Sequence, residues 1–92
     1  MKYKQQIMNL IMSGNYQYVE VKKEKKTFQA NCFVYHGEYF QCYFKQKALK
    51  LVGELVLFDI KECEIVAPSS YKITYEEGES VRLTFKKKKA KK

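Results

Sequence analysis

From Asn15 onward the apolar residues recur mainly with a period of two, and this period constrains the chain more than any other feature. A period of two places alternate side chains on opposite faces of an extended strand. The segment reads as strands at Tyr16–Lys22, Thr27–Tyr35, Tyr39–Lys45, Leu49–Ile60, Glu62–Val66, Tyr71–Tyr75 and Val81–Phe85. They are separated by Lys22-Lys23-Glu24-Lys25-Lys26, His36-Gly37-Glu38, Pro68-Ser69-Ser70 and Glu77-Gly78-Glu79, which read as turns. Leu55, Val56, Leu57 and Phe58 are apolar on both faces, so that stretch expects cover on both sides.

Residues 2–13 follow a different period. Tyr3, Ile7, Leu10 and Ile11 lie on one helical stripe, Met8 and Met12 widen it, and Gly14 supplies the permissive backbone that ends a helix. The expected fold is therefore α+β: an N-terminal helix packed on a bent, about six-stranded antiparallel sheet or small open barrel. With 92 residues there is room for one domain, 1–85, followed by a basic tail, 86–92, expected to be disordered.

Hairpin registers follow from matching faces. A three-residue loop His36-Gly37-Glu38 pairs Val34 with Phe40, Cys32 with Cys42 and Ala30 with Phe44, with Gly37 at positive φ. In the last hairpin the loop Glu77-Gly78-Glu79 pairs Tyr75 with Val81, Ile73 with Leu83 and Tyr71 with Phe85.

The net charge of +8 is unevenly spread. Lys86, Lys87, Lys88, Lys89, Lys91 and Lys92 hold six of the 18 basic residues; without them residues 1–85 carry only +2. Residues 1–50 carry +6 and residues 51–85 carry −4. A lysine-rich end attracts polyanions from a distance and loses that attraction as salt rises.

On this register the other face of the first strong hairpin carries Gln29, Asn31, Phe33, Tyr35, Tyr39, Gln41, Tyr43 and Lys45. Flat rings stack on bases, amides reach base edges and ammonium groups meet phosphates. Phe33, Tyr35, Tyr39, Tyr43 and Lys45, rimmed by Lys22, Lys23, Lys25 and Lys26 and joined by Lys86–Lys89, thus form a candidate platform for single-stranded nucleic acid. The competing reading places the helix over these rings and makes them core. A second function is docking on a host protein, as a small inhibitor or adaptor of the kind mobile elements encode. There Glu62, Glu64, Glu76, Glu77 and Glu79 would present an acidic strip that mimics nucleic acid.

Catalytic motifs are poor: the one histidine sits in a glycine turn, and neither a glycine-flanked nucleophile nor a phosphate-cradling loop is present. Cys32, His36, Cys42 and Cys63 lack the short paired spacing of structural zinc sites, so no metal or other cofactor is expected. An odd number of cysteines, and a first ten residues interrupted by Gln and Asn, favour reduced thiols, no export signal and a cytoplasmic setting. No apolar run approaches the length of a membrane span.

Lys50-Leu51-Val52-Gly53-Glu54-Leu55-Val56-Leu57-Phe58-Asp59 resembles the strongly bent strand of Sm-like RNA-binding proteins, where K-x-x-G-x-x-x-x-F-D recurs. The resemblance covers ten residues. The family's second motif is not matched, because Tyr71-Lys72 is followed by Ile73-Thr74, and no RNA-contacting residue is carried over.

Overall fold

A computed structural model describes residues 2–87. It contains one helix, α1 (Lys2–Ser13), and eight strands: β1 (Tyr18–Lys22), β2 (Thr27–Ala30), β3 (Cys32–Tyr35), β4 (Tyr39–Lys45), β5 (Leu49–Val56), β6 (Ile60–Ala67), β7 (Ser70–Tyr75) and β8 (Ser80–Lys86). The strands form two antiparallel sheets, β2-β1-β8-β7-β6 and β3-β4-β5. No described helix is long and apolar enough to cross a membrane.

The helical stripe packs as its spacing predicts except at Met12, which is exposed. Ile7 and Ile11 are buried, Met8 and Leu10 pack against the same cluster, and α1 lies against β6. Gly14, at φ 71°, ends the helix. Tyr16 then turns back and its hydroxyl donates to the Ile11 carbonyl at 2.5 Å, satisfying a carbonyl that the helix end leaves without an internal partner. The Tyr16 ring meets Phe33 edge-on at 6.3 Å and Phe85 at 5.3 Å, which ties the helix end to both sheets.

The core is one cluster. Val19, Val21, Ile73 and Leu83 from the larger sheet face Phe40, Cys42 and Leu55 from the smaller one, all at most 1% exposed. Full burial of a Leu, Ile or Phe side chain contributes about 1.5–3 kcal/mol, so this two-layer interior holds the fold together.

Two corners carry the chain between the sheets. The first corrects the expected single strand Thr27–Tyr35, which breaks at Asn31. The Asn31 side chain imitates a strand neighbour: its Nδ2 donates to the Lys45 carbonyl at 3.0 Å and its Oδ1 accepts the Lys45 N–H at 2.8 Å. The Asn31 N–H also donates to the Tyr43 carbonyl at 2.9 Å. The break changes which alternate residues face inward.

At the second corner β5 stops at Val56, Leu57 turns inward at 2% exposure, and Asp59 takes φ 59°. The Asp59 carbonyl accepts the Glu76 N–H at 2.8 Å, which joins this corner to the β7–β8 turn. Phe58 is left 48% exposed, so the expected two-sided cover fails there. The ladders β1–β2, β3–β4–β5 and β6–β7–β8–β1, linked by the corners, form a circuit that returns to its start.

Both hairpin registers differ from expectation. In the first, Cys32 lies opposite Tyr43, Phe33 opposite Cys42, Val34 opposite Gln41 and Tyr35 opposite Phe40. The chain reverses through residues 36–39, with Gly37 at φ 89° as expected and the His36 N–H donating to the Tyr39 carbonyl at 2.9 Å. In the last hairpin Tyr71 pairs with Leu83 and Ile73 with Val81, a slip of two residues. A slip of two keeps every side chain on its expected face; a slip of one does not.

Candidate nucleic-acid interface

The one-residue slip divides the expected platform. Phe33 and Tyr35 share a face with Phe40 and Cys42, on the core side. Phe33 meets Phe40 edge-on at 5.9 Å, and Tyr35 lies 5.5 Å from the same ring. Tyr35 remains 42% exposed at the rim, where its hydroxyl donates to the Gly37 carbonyl and the Lys4 ammonium of α1 sits 5.7 Å from its ring centre. These two rings do not share a surface with Tyr39 and Tyr43. The physical reason is Asn31: it resets the alternation between Ala30 and Phe33.

The opposite, outer face of the three-stranded sheet carries the rest. Its rows run Val34–Gln41–Glu54, Cys32–Tyr43–Leu51 and Lys45–Leu49, with Tyr39 beside Val56 at the far end. Val34, Leu49 and Leu51 are 43%, 54% and 54% exposed, so the face is open to solvent. Sequence reasoning missed these three apolar residues; for Val34 the cause is the same reset of alternation. The polar centre of the face is ordered. His36 stacks on Tyr39 at 5.0 Å between ring centres and 19° between planes, and its Nε2 hydrogen-bonds the Gln41 carbonyl oxygen at 2.6 Å. The Tyr43 hydroxyl donates to the same oxygen at 3.3 Å.

The expected basic rim is spread around the molecule. Lys23 and Lys26 place their ammonium groups 5.7 and 5.6 Å from the Phe28 ring centre, a cation–π arrangement that steadies the β1–β2 turn. Lys22 stands in register with Arg82, which stands in register with Lys72, so three cations line up across β1, β8 and β7. Lys45 ends β4 and is exposed. Lys86 pairs opposite Tyr18 at the end of β8, and Lys87 follows it, exposed. Lys88 and Lys89 lie outside the described residues.

The acidic residues form two groups. Glu62 and Glu64 stand on β6, opposite Thr74 and Lys72. Glu76, Glu77 and Glu79 line a cleft of about 760 Å³ together with Asp59 and with Lys23, Glu24, Lys25 and Lys26 of the β1–β2 turn. The sequence alone assigned these acidic and basic residues to different functions; the fold brings them into the lining of one cleft. Val56, Phe58, Tyr75 and Val81 supply the apolar lining, and the Tyr75 hydroxyl donates to the Val56 carbonyl at 2.7 Å.

The three cysteines are free. Cys32 faces outward beside Tyr43 and Cys42 faces the core beside Phe33, which corrects their expected pairing. Burial pushes the Cys42 thiol up to about 12, against a partial pull downward from Lys23, and it pushes the Cys63 thiol up as well. A thiol held protonated in this way is a poor nucleophile and a poor metal ligand.

No family model, no curated protein and no solved structure matches this chain.

Proposed function

We propose that this protein binds single-stranded nucleic acid, without catalysis, on the outer face of the β3–β4–β5 sheet. The observation that carries this reading is the ordered row His36–Tyr39–Gln41–Tyr43 on an open sheet face. Positive charge on the β1–β2 turn, at Lys45 and along the lysine-rich end draws the strand in. Tyr39 and Tyr43 then stack on bases, each contact contributing about 1–3 kcal/mol. Because the Gln41 carbonyl oxygen is engaged by His36 and Tyr43, its amide nitrogen is left to donate to a base edge. Phe33 and Tyr35 serve the platform from beneath, by holding the sheet on Phe40. The circuit of ladders acts as a small open barrel, stiff enough to keep the rings in place.

Fluorescence anisotropy with short RNA and DNA strands tests the reading. Replacing Tyr39 and Tyr43 together with Ala weakens binding by about tenfold or more. Affinity also falls steeply as salt rises. Unchanged affinity in the double variant rejects the stacking face, and salt-independent binding rejects the electrostatic capture.

A second reading is favoured by the exposed Val34, Leu49 and Leu51 on the same face: docking on another protein, as an inhibitor or adaptor. The acidic residues Glu62, Glu64, Glu76, Glu77 and Glu79 are its alternative contact. Capture of one defined protein that survives nuclease treatment and is lost in Leu51→Glu supports docking; release by nuclease supports nucleic acid.

A further inference from the structure

A cleft opens at the end of the outer face of β3–β4–β5. Three connections meet there: the β1–β2 turn, the β5–β6 corner and the β7–β8 turn. Its volume of about 760 Å³ lies within the range of small-ligand sites, roughly 300–1,000 Å³. The β1–β2 turn contributes Lys23, Lys25 and Lys26 with Glu24 among them, the β7–β8 turn contributes Glu76, Glu77 and Glu79, and the β5–β6 corner adds Asp59. Attraction between exposed lysine and glutamate side chains is weak in water, so these side chains remain available to a ligand.

The apolar part is fixed in shape. Tyr75 is held by its hydroxyl on the Val56 carbonyl, and the corner bearing Phe58 is held by the Glu76 N–H on the Asp59 carbonyl. Phe58 is a half-exposed ring at this corner, a placement suited to contact with a ligand rather than to core. The cleft also continues the outer face, because Val56 lines it and stands directly opposite Tyr39 in the β4–β5 ladder.

A ligand that satisfies both turns carries negative charge at one end, hydrogen-bond donors at the other and a flat body between them. We propose that the cleft binds one nucleotide of the strand, its phosphate toward Lys23, Lys25 and Lys26 and its base against Phe58, with guanine preferred. Guanine presents two adjacent donors, N1–H and the N2 amine, which match the two oxygens of a carboxylate from Glu77 or Glu79. Uracil offers a single N–H and makes the poorer partner. The continuity with Tyr39 rests on the nucleic-acid reading above; the pocket itself does not.

The test is an NMR titration of the full chain with guanosine monophosphate, uridine monophosphate and inorganic phosphate, beside a titration with a short uridine strand. Guanosine monophosphate binds about tenfold more tightly than uridine monophosphate, and both bind more tightly than phosphate. Phe58→Ala weakens both nucleotides, and Glu77→Gln combined with Glu79→Gln removes the preference for guanine. Equal binding of the three small ligands overturns the pocket, as does a guanine preference that survives the glutamine double variant. If the nucleotides discriminate while the uridine strand fails to bind, the outer face falls and the pocket stands. If the strand binds while the small ligands do not discriminate, the pocket falls and the outer face stands.

Discussion

Single residues set the geometry of this protein where two backbones or two rings come close. Gly53 stands opposite Cys42 and directly against the Phe28 ring; a Cβ there would fall within 2.6 Å of Phe28 Cζ. The glycine of the Lys50–Asp59 segment therefore has a packing role here. Gly53→Ala is expected to destabilise the fold by about 1–3 kcal/mol, read as a lower urea midpoint. Combining it with Phe28→Leu recovers part of the loss; no recovery would show that the ring is not the cause.

Tyr16 and Cys42 make a second prediction at this scale. Burial, reinforced by the nearby Cys32 and Cys42 thiols, pushes the Tyr16 hydroxyl up to about 12, and burial also raises Tyr75 and brings Cys42 to about 12. The folded state thus holds these protons above the unfolded values of 9.0 for Cys and 10.0 for Tyr. Stability from these groups is complete below those values and is lost as pH rises toward about 12. Urea midpoints measured across this alkaline window should fall, and less steeply in Tyr16→Phe. Identical slopes in the two proteins would assign the loss to other groups.

At the scale of elements, the alternation that revealed the strands also concealed their breaks. Phe28 and Ala30 face inward, and extending the same count puts Cys32 and Val34 inside. Asn31 interrupts the count with side-chain bonds to Lys45, fourteen residues away in sequence, a partner that local pattern cannot supply. Half of the candidate surface, Tyr39, Gln41, Tyr43 and Lys45, was legible because β4 alternates from Tyr39 to Tyr43 and ends on an exposed Lys45. Phe33 and Tyr35 were misplaced because they follow the break. In the last hairpin the turn was misjudged by two residues, yet Tyr71, Ile73, Tyr75, Val81, Leu83 and Phe85 kept their faces. The α1 stripe was legible, as its spacing is local, except at Met12, which is exposed. Asn31→Ala is expected to cost about 1–2 kcal/mol, because the Lys45 N–H and carbonyl lose their partners. Hydrogen exchange should show faster opening of Lys45 in this variant; unchanged protection would deny Asn31 its role at the corner.

At the scale of the whole molecule, charge and shape together make the functional argument. The sequence showed a basic first half and an acidic second half, but not that the β1–β2 and β7–β8 turns would line one cleft. Nor did it show Lys22, Arg82 and Lys72 in one row, since that row depends on strand order rather than on spacing along the chain. Like charges in register are unfavourable neighbours, by about 0.2–1 kcal/mol per pair. Arg82→Thr is therefore expected to leave the urea midpoint unchanged or slightly higher, while weakening the salt-dependent part of strand binding. A marked fall in the midpoint would contradict this.

The outer face of β3–β4–β5 remains the central claim, and mapping backbone amide shifts during titration with a short single strand tests it most directly. Saturable shifts concentrated at residues 36–45 and along β5, reduced by the Tyr39→Ala and Tyr43→Ala pair, are the predicted result. Shifts confined to residues 86–92, with the sheet unmoved, would contradict it.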